Sequence, residues 1–103
     1  DSPDFARDRK LIIELAARNQ VPAMLFADGS AREGALIGYS VTRAELYRMT
    51  ARFVDVILKG AKPADLPVEQ PTKFVLGINL KTAKELGLTI PPTLLAYADE
   101  VIE

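Results

Sequence analysis

The sequence predicts an α/β fold, in the form of a three-layer fragment with a short parallel sheet and the element order α-β-β-α-β-α-α. Short apolar runs occupy residues 21–27, 34–40 and 73–79, and the first has no polar alternation, as expected of a strand buried on both faces. Stretches with helical periodicity flank these runs, which is typical of α/β layers. The 103 residues are 49% hydrophobic, which suffices for one core, so residues 1–103 are interpreted as a single unit.

The first predicted element is an amphipathic helix that ends near Asn19. Ser2 is expected to be its N-cap and Pro3 its first helical residue. Apolar side chains then recur on one face at helical spacing, at Phe5, Ile12, Leu15 and Ala16. The apolar run at 21–27 follows as the first strand, and it ends at a turn signal in residues 28–30.

The second helix follows the apolar run at 34–40 and begins with the clearest local signature in the chain. Thr42 and Glu45 form a capping box, with Val41 and Leu46 placed as the hydrophobic staple around it. The helix is expected to end at Gly60. Its apolar stripe consists of Leu46, Met49, Phe53 and Ile57. A stripe of that width predicts a helix packed against the sheet.

A proline-rich loop at residues 61–71 separates this helix from the third predicted strand at 73–79. Asn79 can cap the short helix that follows, and Gly87 can end it. Three strands make a narrow sheet, and its edges need cover.

The last part of the chain is predicted to be an extended step followed by a helix. Leu88 and Ile90 continue in extended form because Pro91 disfavours helical backbone at Ile90. Pro92 can occupy the first position of a helix over residues 92–102.

Composition and motifs favour a binding or structural module over an enzyme. Cysteine and histidine are absent, which removes thiolate chemistry, the commonest general base and the commonest neutral metal ligand. No P-loop, GxGxxG, HExxH, GxSxG or EF-hand pattern occurs, so no metal and no cofactor is predicted. The net charge of −1 gives no electrostatic reason to expect a nucleic acid as partner. An α/β enzyme using carboxylates and tyrosine ranks lower, because no nucleophile-base pair is evident.

Three stretches of the chain carry a resemblance to a known family. They are ILKGAKPADLPVEQPTKF at 57–74, INLKTAKELGLTIPPTLLAYADEVI at 78–102 and LAARNQVPAMLF at 15–26. Together they resemble the carboxy-terminal part of the substrate-binding proteins of ABC importers related to tryptophan/tyrosine-type uptake systems. GALIGYS at 34–40 lies where members show Gly-Gly-(Leu/Ile)-x-Ser-Tyr-Gly, but its order here is Gly38-Tyr39-Ser40.

The resemblance implies a type I periplasmic-binding-protein fold, with two α/β lobes joined by three crossovers and the ligand held in the cleft. Residues 1–103 are then the carboxy-terminal fragment of a two-lobe protein. Residues 88–92 would form a strap bound along the hinge, with a stiff turn between two helices as the alternative. The isolated fragment is expected to bind no ligand tightly, and its exposed edges and apolar surface favour a homodimer.

The function implied by the resemblance is the solute-binding component of an ABC import system. It would capture a small molecule such as an amino acid and deliver it to an ABC permease. The implied location is periplasmic or otherwise extracytoplasmic, with a lipoprotein as one form. A ligand-sensing domain of a signalling protein with the same fold is the alternative.

Three residues are candidates for contact with a ligand, because ligands of open α/β sheets lie outside the carboxyl ends of the strands. Asp28 follows the first predicted strand, and Tyr39 and Ser40 end the second. Asp28 can accept hydrogen bonds from an amine, Tyr39 can stack on an apolar ligand, and Ser40 can donate to a carboxylate. An ordinary turn at Asp28 and a sheet-covering role for Tyr39 are the alternative interpretations.

Overall fold

A computed structural model describes residues 2–103 of the chain. Four strands and four α-helices occur in this part, and a short 3-10 turn lies at Pro63–Asp65. In chain order the elements are α1 (Pro3–Arg18), β1 (Met24–Leu25), β2 (Ile37–Ser40), α2 (Arg43–Leu58), β3 (Val75–Asn79), α3 (Leu80–Glu85), α4 (Pro92–Tyr97) and β4 (Glu100–Ile102).

The strands form one mixed sheet in the order β1-β2-β3-β4. The outer pairs β1/β2 and β3/β4 are parallel, as expected, but the central pair β2/β3 is antiparallel, so the prediction of a parallel sheet is wrong there. Ser40, the last residue of β2, pairs with Val75, the first of β3. The chain therefore re-enters the sheet at the edge where it left, because α2 and the loop after it run out and back without crossing the sheet.

The end of the chain differs from the predicted helix over residues 92–102. Helix α4 ends at Tyr97, and Glu100–Ile102 form a fourth strand parallel to β3. Asp99 sets this register, because its N–H donates to the carbonyl of Leu76 (2.9 Å) and its Oδ2 accepts from the N–H of Leu76 (2.8 Å). Pairing with a distant strand overrides the helical spacing of the local sequence.

Buried side chains lie on both faces of the sheet. Ile13 of α1, Leu25 of β1 and Ala35 form the buried cluster on one face. Ile78 in β3 is completely buried on the other face, because it pairs with Ile37 whereas Leu25 pairs with Gly38. The first strand was expected to be buried on both faces, but Met24 is 63% exposed, so that prediction is wrong for the described chain. The three-layer arrangement therefore stays a prediction for the larger fold.

The turn between β1 and β2, residues 28–34, lies over Gly38 and Gly77 and is held by side chains from the other end of the chain. Asn79 donates from Nδ2 to the carbonyl of Ala31 (2.8 Å), and Thr82 donates from Oγ1 to the carbonyl of Gly34 (3.0 Å). An ion pair also joins Arg32 to Glu100 of β4. The turn is therefore rigidly attached to β3, α3 and β4.

Helix α2 does not pack against the sheet, so that prediction is wrong. Its N-cap is as predicted, since Thr42 Oγ1 accepts from the N–H of Glu45 (3.2 Å). However, no residue of α2 is buried, and Leu46 and Ile57 of the stripe are 45% and 38% exposed. The chain measures 56 × 32 × 17 Å with a radius of gyration of 17.3 Å, whereas a compact chain of this length has about 13 Å. The stripe is therefore only partly covered, with Met49 and Phe53 half-buried. The proposed homodimer of the fragment stays a prediction.

The extended step after α3 is present as predicted. Residues 88–91 belong to no helix or strand, and the N–H of Leu88 donates to the carbonyl of Ala83 (2.8 Å) as α3 ends. Leu88 is 43% exposed and Ile90 is half-buried. The role of this segment as a strap against a second lobe stays a prediction.

Gly38 is required by a close approach of the turn to β2, and its replacement by alanine is expected to destabilise the protein by about 1–3 kcal/mol. A Cβ at Gly38 would lie 2.6 Å from Ser30 Oγ and 3.2 Å from the backbone nitrogen of Ala31. Urea unfolding followed by circular dichroism measures the change.

Ser30→Ala is the matched second variant for this experiment. Ser30 Oγ is buried and has no hydrogen-bond partner among residues 2–103, so its removal alone costs little. Ser30→Ala also removes Oγ, the atom that would lie closest to a Cβ at Gly38. The double variant Gly38→Ala/Ser30→Ala should therefore be less destabilised than Gly38→Ala alone. An equal loss in the single and double variants would show that the Oγ contact is not the cause.

Candidate functional site

A cleft lies where β1 and β2 end and α2 begins. Its volume is about 480 Å³, and it is lined by three charged residues and an apolar wall. The charged residues are Arg9, Asp28 and Arg43, and the principal apolar ones are Phe26, Leu46 and Phe74. A concave site of this size with few polar groups among apolar side chains has the general composition of a small-molecule site.

Asp28 lies in this cleft, just beyond β1. Its Oδ2 accepts a hydrogen bond from the N–H of Arg43 (3.2 Å), the first residue of α2. This contact adds a second acceptor to the amino end of α2, beside the Thr42 cap. Among residues 2–103 only Oδ2 accepts a hydrogen bond, so Oδ1 can accept one from a cationic or polar group in the cleft.

Ser40 is the second predicted residue that lines the cleft. It ends β2 and is 6% exposed. It also lines a smaller cavity of about 50 Å³ beneath the turn, together with Asp28 and Ser30. The structure therefore brings Asp28 and Ser40 to the same place, although they are 12 positions apart in the sequence.

Tyr39, the third predicted residue, points to the face of the sheet opposite to that of Ser40 and does not line the cleft. Its ring stacks on Phe74, with centroids 5.2 Å apart and an interplanar angle of 17°. Since Phe74 lines the cleft, Tyr39 contacts the apolar wall of the cleft through this ring. Stacked pairs of this kind stabilise the orientation of both rings.

Arg9 of α1 also lines the cleft, and it was not among the residues predicted from the sequence. Its guanidinium makes a bidentate ion pair with Glu33, with Nε to Oε2 at 2.8 Å and Nη2 to Oε1 at 2.5 Å. The side chain of Arg9 is only 16% exposed. The hydrogen bond to Glu33 raises the pKa of Arg9 above its ordinary value, so its charge is permanent.

Phe26 and Phe74 were also missed as site residues. Phe26 directly follows β1, so the strand-end argument applied to Asp28 also applies to Phe26. Phe74 precedes β3 and reaches the cleft only because β3 runs antiparallel to β2. No local signal predicts that placement.

Within residues 2–103, no group of three or more acidic, histidine or cysteine side chains is arranged to hold a metal ion. Over the same residues, every helix is too short or too polar to be a candidate for crossing a membrane.

The chain is similar to one known family and to several solved structures. The family model described as ABC transporter substrate binding protein matches residues 5–102. A conserved domain protein from Vibrio cholerae superposes with a TM-score of 0.86 at 29% identity, over 94% of this chain and 33% of that one. An ABC domain in complex with L-Trp from Streptococcus pneumoniae superposes with a TM-score of 0.84 at 32% identity, over 95% of this chain and 34% of that one.

A ligand-free, open substrate-binding protein with adhesive properties from Clostridium difficile shares the fold, with a TM-score of 0.61 at 23% identity over 95% of this chain and 32% of that one. The chain thus spans about a third of the length of these solved structures. Comparison with curated protein sequences gives no significant match. The structural matches confirm the predicted α/β class and its place within a periplasmic-binding-protein fold.

Proposed function

The chain belongs to the family of ABC transporter substrate-binding proteins, and from this premise we propose that it is the carboxy-terminal part of the solute-binding component of an ABC importer. Its cleft would hold a small molecule such as an amino acid between two lobes. The single observation that carries the proposal is this cleft, where charges of both signs lie beside an aromatic wall. The other lobe would supply the remaining contacts on closure.

The chemistry of the cleft supports an amino acid as the ligand. The Asp28 carboxylate can pair with an ammonium group, and the Ser40 hydroxyl can donate to or accept from the polar end of the ligand. Phe26 and Phe74 can contact an apolar or aromatic side chain, with Tyr39 holding Phe74 in place. The volume of about 480 Å³ lies in the range of small-molecule sites.

The remaining parts of the proposal follow from the family. The protein would act by binding and releasing its ligand without catalysing a reaction. Its partner would be an ABC permease, and its location would be periplasmic or otherwise extracytoplasmic, with lipid anchoring as one form. Family membership supports each of these assignments.

The proposal is tested by calorimetry on the full-length protein with a panel of L-amino acids. The panel includes L-tryptophan because the similar Streptococcus pneumoniae structure holds L-Trp. At least one amino acid is expected to bind, and Asp28→Asn is expected to weaken binding about 10-fold or more, since it removes the charge that pairs with the ammonium. The amide keeps an acceptor for the N–H of Arg43, so the amino end of α2 is preserved.

Asp55→Asn is the matched control, because Asp55 is an exposed residue of α2 that pairs with Lys59. It should leave the affinity unchanged. If the panel gives no binding, the proposed function is wrong. If Asp28→Asn binds as tightly as the wild type, Asp28 is not a ligand residue.

A further inference from the structure

We infer that Arg9 receives the carboxylate of the ligand and that Glu33 is the residue that positions it. The inference rests on the proposed function, because it assigns a role within the same cleft. It adds the orientation of an amino-acid ligand, with the carboxylate toward Arg9 and the ammonium toward Asp28.

The hydrogen-bonding pattern of Arg9 leaves part of its guanidinium free for a ligand. Glu33 occupies one edge of the fork, through Nε and Nη2. A guanidinium has five N–H donors, so the two on Nη1 and the second on Nη2 are not required by this pair. Since Arg9 lines the cleft, these donors can form a second bidentate contact with a carboxylate there.

Glu33 fixes Arg9 before a ligand arrives. It belongs to the turn at 28–34 and does not itself line the cleft, so it holds the guanidinium from behind. That turn is fastened by the hydrogen bonds from Asn79 and Thr82. An arginine that is already ordered loses less side-chain entropy on binding, and preorganisation of this kind increases affinity.

The balance of charge around the cleft also suits a zwitterion. Arg9 and Arg43 carry two positive charges, and Asp28 and Glu33 carry two negative ones. These four charges sum to zero, which suits a ligand that is itself neutral as a whole. Arg43 is the weaker carboxylate receptor, because its side chain is exposed and would lose rotamer freedom on binding.

The test measures the affinity of the full-length protein for L-tryptophan and for L-tryptophanamide, which lacks the carboxylate. If the panel identifies another amino acid as the tightest ligand, that compound and its amide are used instead. Arg9→Gln is expected to weaken binding of the amino acid by about 10- to 100-fold, the range for a hydrogen-bonded charge pair, and to change binding of the amide by less than about 3-fold. Glu33→Gln should also weaken binding of the amino acid more than binding of the amide, but by a smaller factor than Arg9→Gln. A purely structural role of Glu33 would weaken both equally.

Arg7→Gln is the matched control on the same helix. Arg7 has a side chain that is 72% exposed and pairs with Asp4 and Asp8, outside the cleft, so both affinities should be unchanged. Arg43→Gln should lower the affinity for the amino acid less than Arg9→Gln does.

The inference is overturned if Arg9→Gln binds the amino acid as tightly as the wild type, if it weakens the acid and the amide equally, or if Arg43→Gln has the larger selective effect. These results leave the proposed function standing, because the wild type still binds. If the wild type binds no amino acid of the panel, the proposed function fails and this inference fails with it.

Discussion

Replacement of Ile78 by alanine is expected to lower the free energy of unfolding by about 3 kcal/mol, in the middle of the range for a buried isoleucine. Ile78 has no exposed surface and is the largest completely buried side chain among the described residues. It lies in β3 and pairs with Ile37 of β2 and Val101 of β4, so a cavity at this point would be bounded by three strands. The surrounding sheet cannot collapse to fill it. Urea unfolding followed by circular dichroism measures the loss.

Val68→Ala is the control for this prediction. Val68 is 97% exposed in the loop before β3, so its truncation should change stability by less than about 0.5 kcal/mol. Similar losses for the two variants would mean that Ile78 does not lie in a packed core.

Replacement of Asn79 by alanine is expected to cost about 3 kcal/mol, because one side chain serves two parts of the structure. Its Nδ2 donates to the carbonyl of Ala31 (2.8 Å), and its Oδ1 accepts from the N–H of Thr82 (2.9 Å) as the N-cap of α3. Asn79 is 5% exposed. Loss of an N-cap costs about 1 kcal/mol, and a buried carbonyl left without a donor costs about 1–3 kcal/mol.

The loss should be accompanied by weaker ligand binding, because the turn that Asn79 holds carries both Asp28 and Glu33. Unfolding by urea and calorimetry with the amino-acid panel measure the two effects on the same variant.

Asn79→Asp separates the two contributions, since aspartate keeps the cap but cannot donate to the carbonyl of Ala31. The Asn79→Asp variant should also be destabilised. Asn19→Ala is the control, and it should change stability by less than about 0.5 kcal/mol because Asn19 is exposed at the end of α1. Wild-type stability of Asn79→Asp would contradict the proposed role of the Ala31 contact.

Local signals in the sequence predicted the helix starts well. Ser2, Thr42 and Asn79 were each predicted to be N-caps, and each accepts a hydrogen bond from the backbone N–H three residues later. An N-cap bond joins residues that are neighbours in the chain, so it depends little on the rest of the fold. The same reasoning predicted that α1 ends near Asn19, its C-cap.

Strand pairing was predicted less well. The antiparallel pairing of β2 with β3 depends on where the chain returns after α2, and nothing in the apolar runs encodes that direction. The segment Glu100–Ile102 continues a helical pattern in the sequence, yet it forms β4 because a partner strand lies beside it. Helix α2 has the apolar stripe of a packed helix, but no residue of this helix is buried by the rest of residues 2–103.

The candidate site divides in the same way. Asp28 and Ser40 were predicted because each follows or ends a strand, and both line the cleft, while their contact with a ligand stays a prediction. Tyr39 also ends a strand, but the alternation of side chains directs it to the other face. Arg9 could not be found, since its partner Glu33 is 24 positions away and the pair exists only when α1 packs beside the turn.

The sequence by itself determined the α/β class, the helix starts and the family, and it placed Asp28 and Ser40 at strand ends. It could do so because hydrophobic periodicity, capping bonds and motif order are properties of neighbouring residues. Only the tertiary structure decided the antiparallel centre of the sheet, the fourth strand and the position of Arg9 opposite Glu33. These depend on contacts between residues far apart in the chain, and such contacts form only when the whole backbone has a defined path.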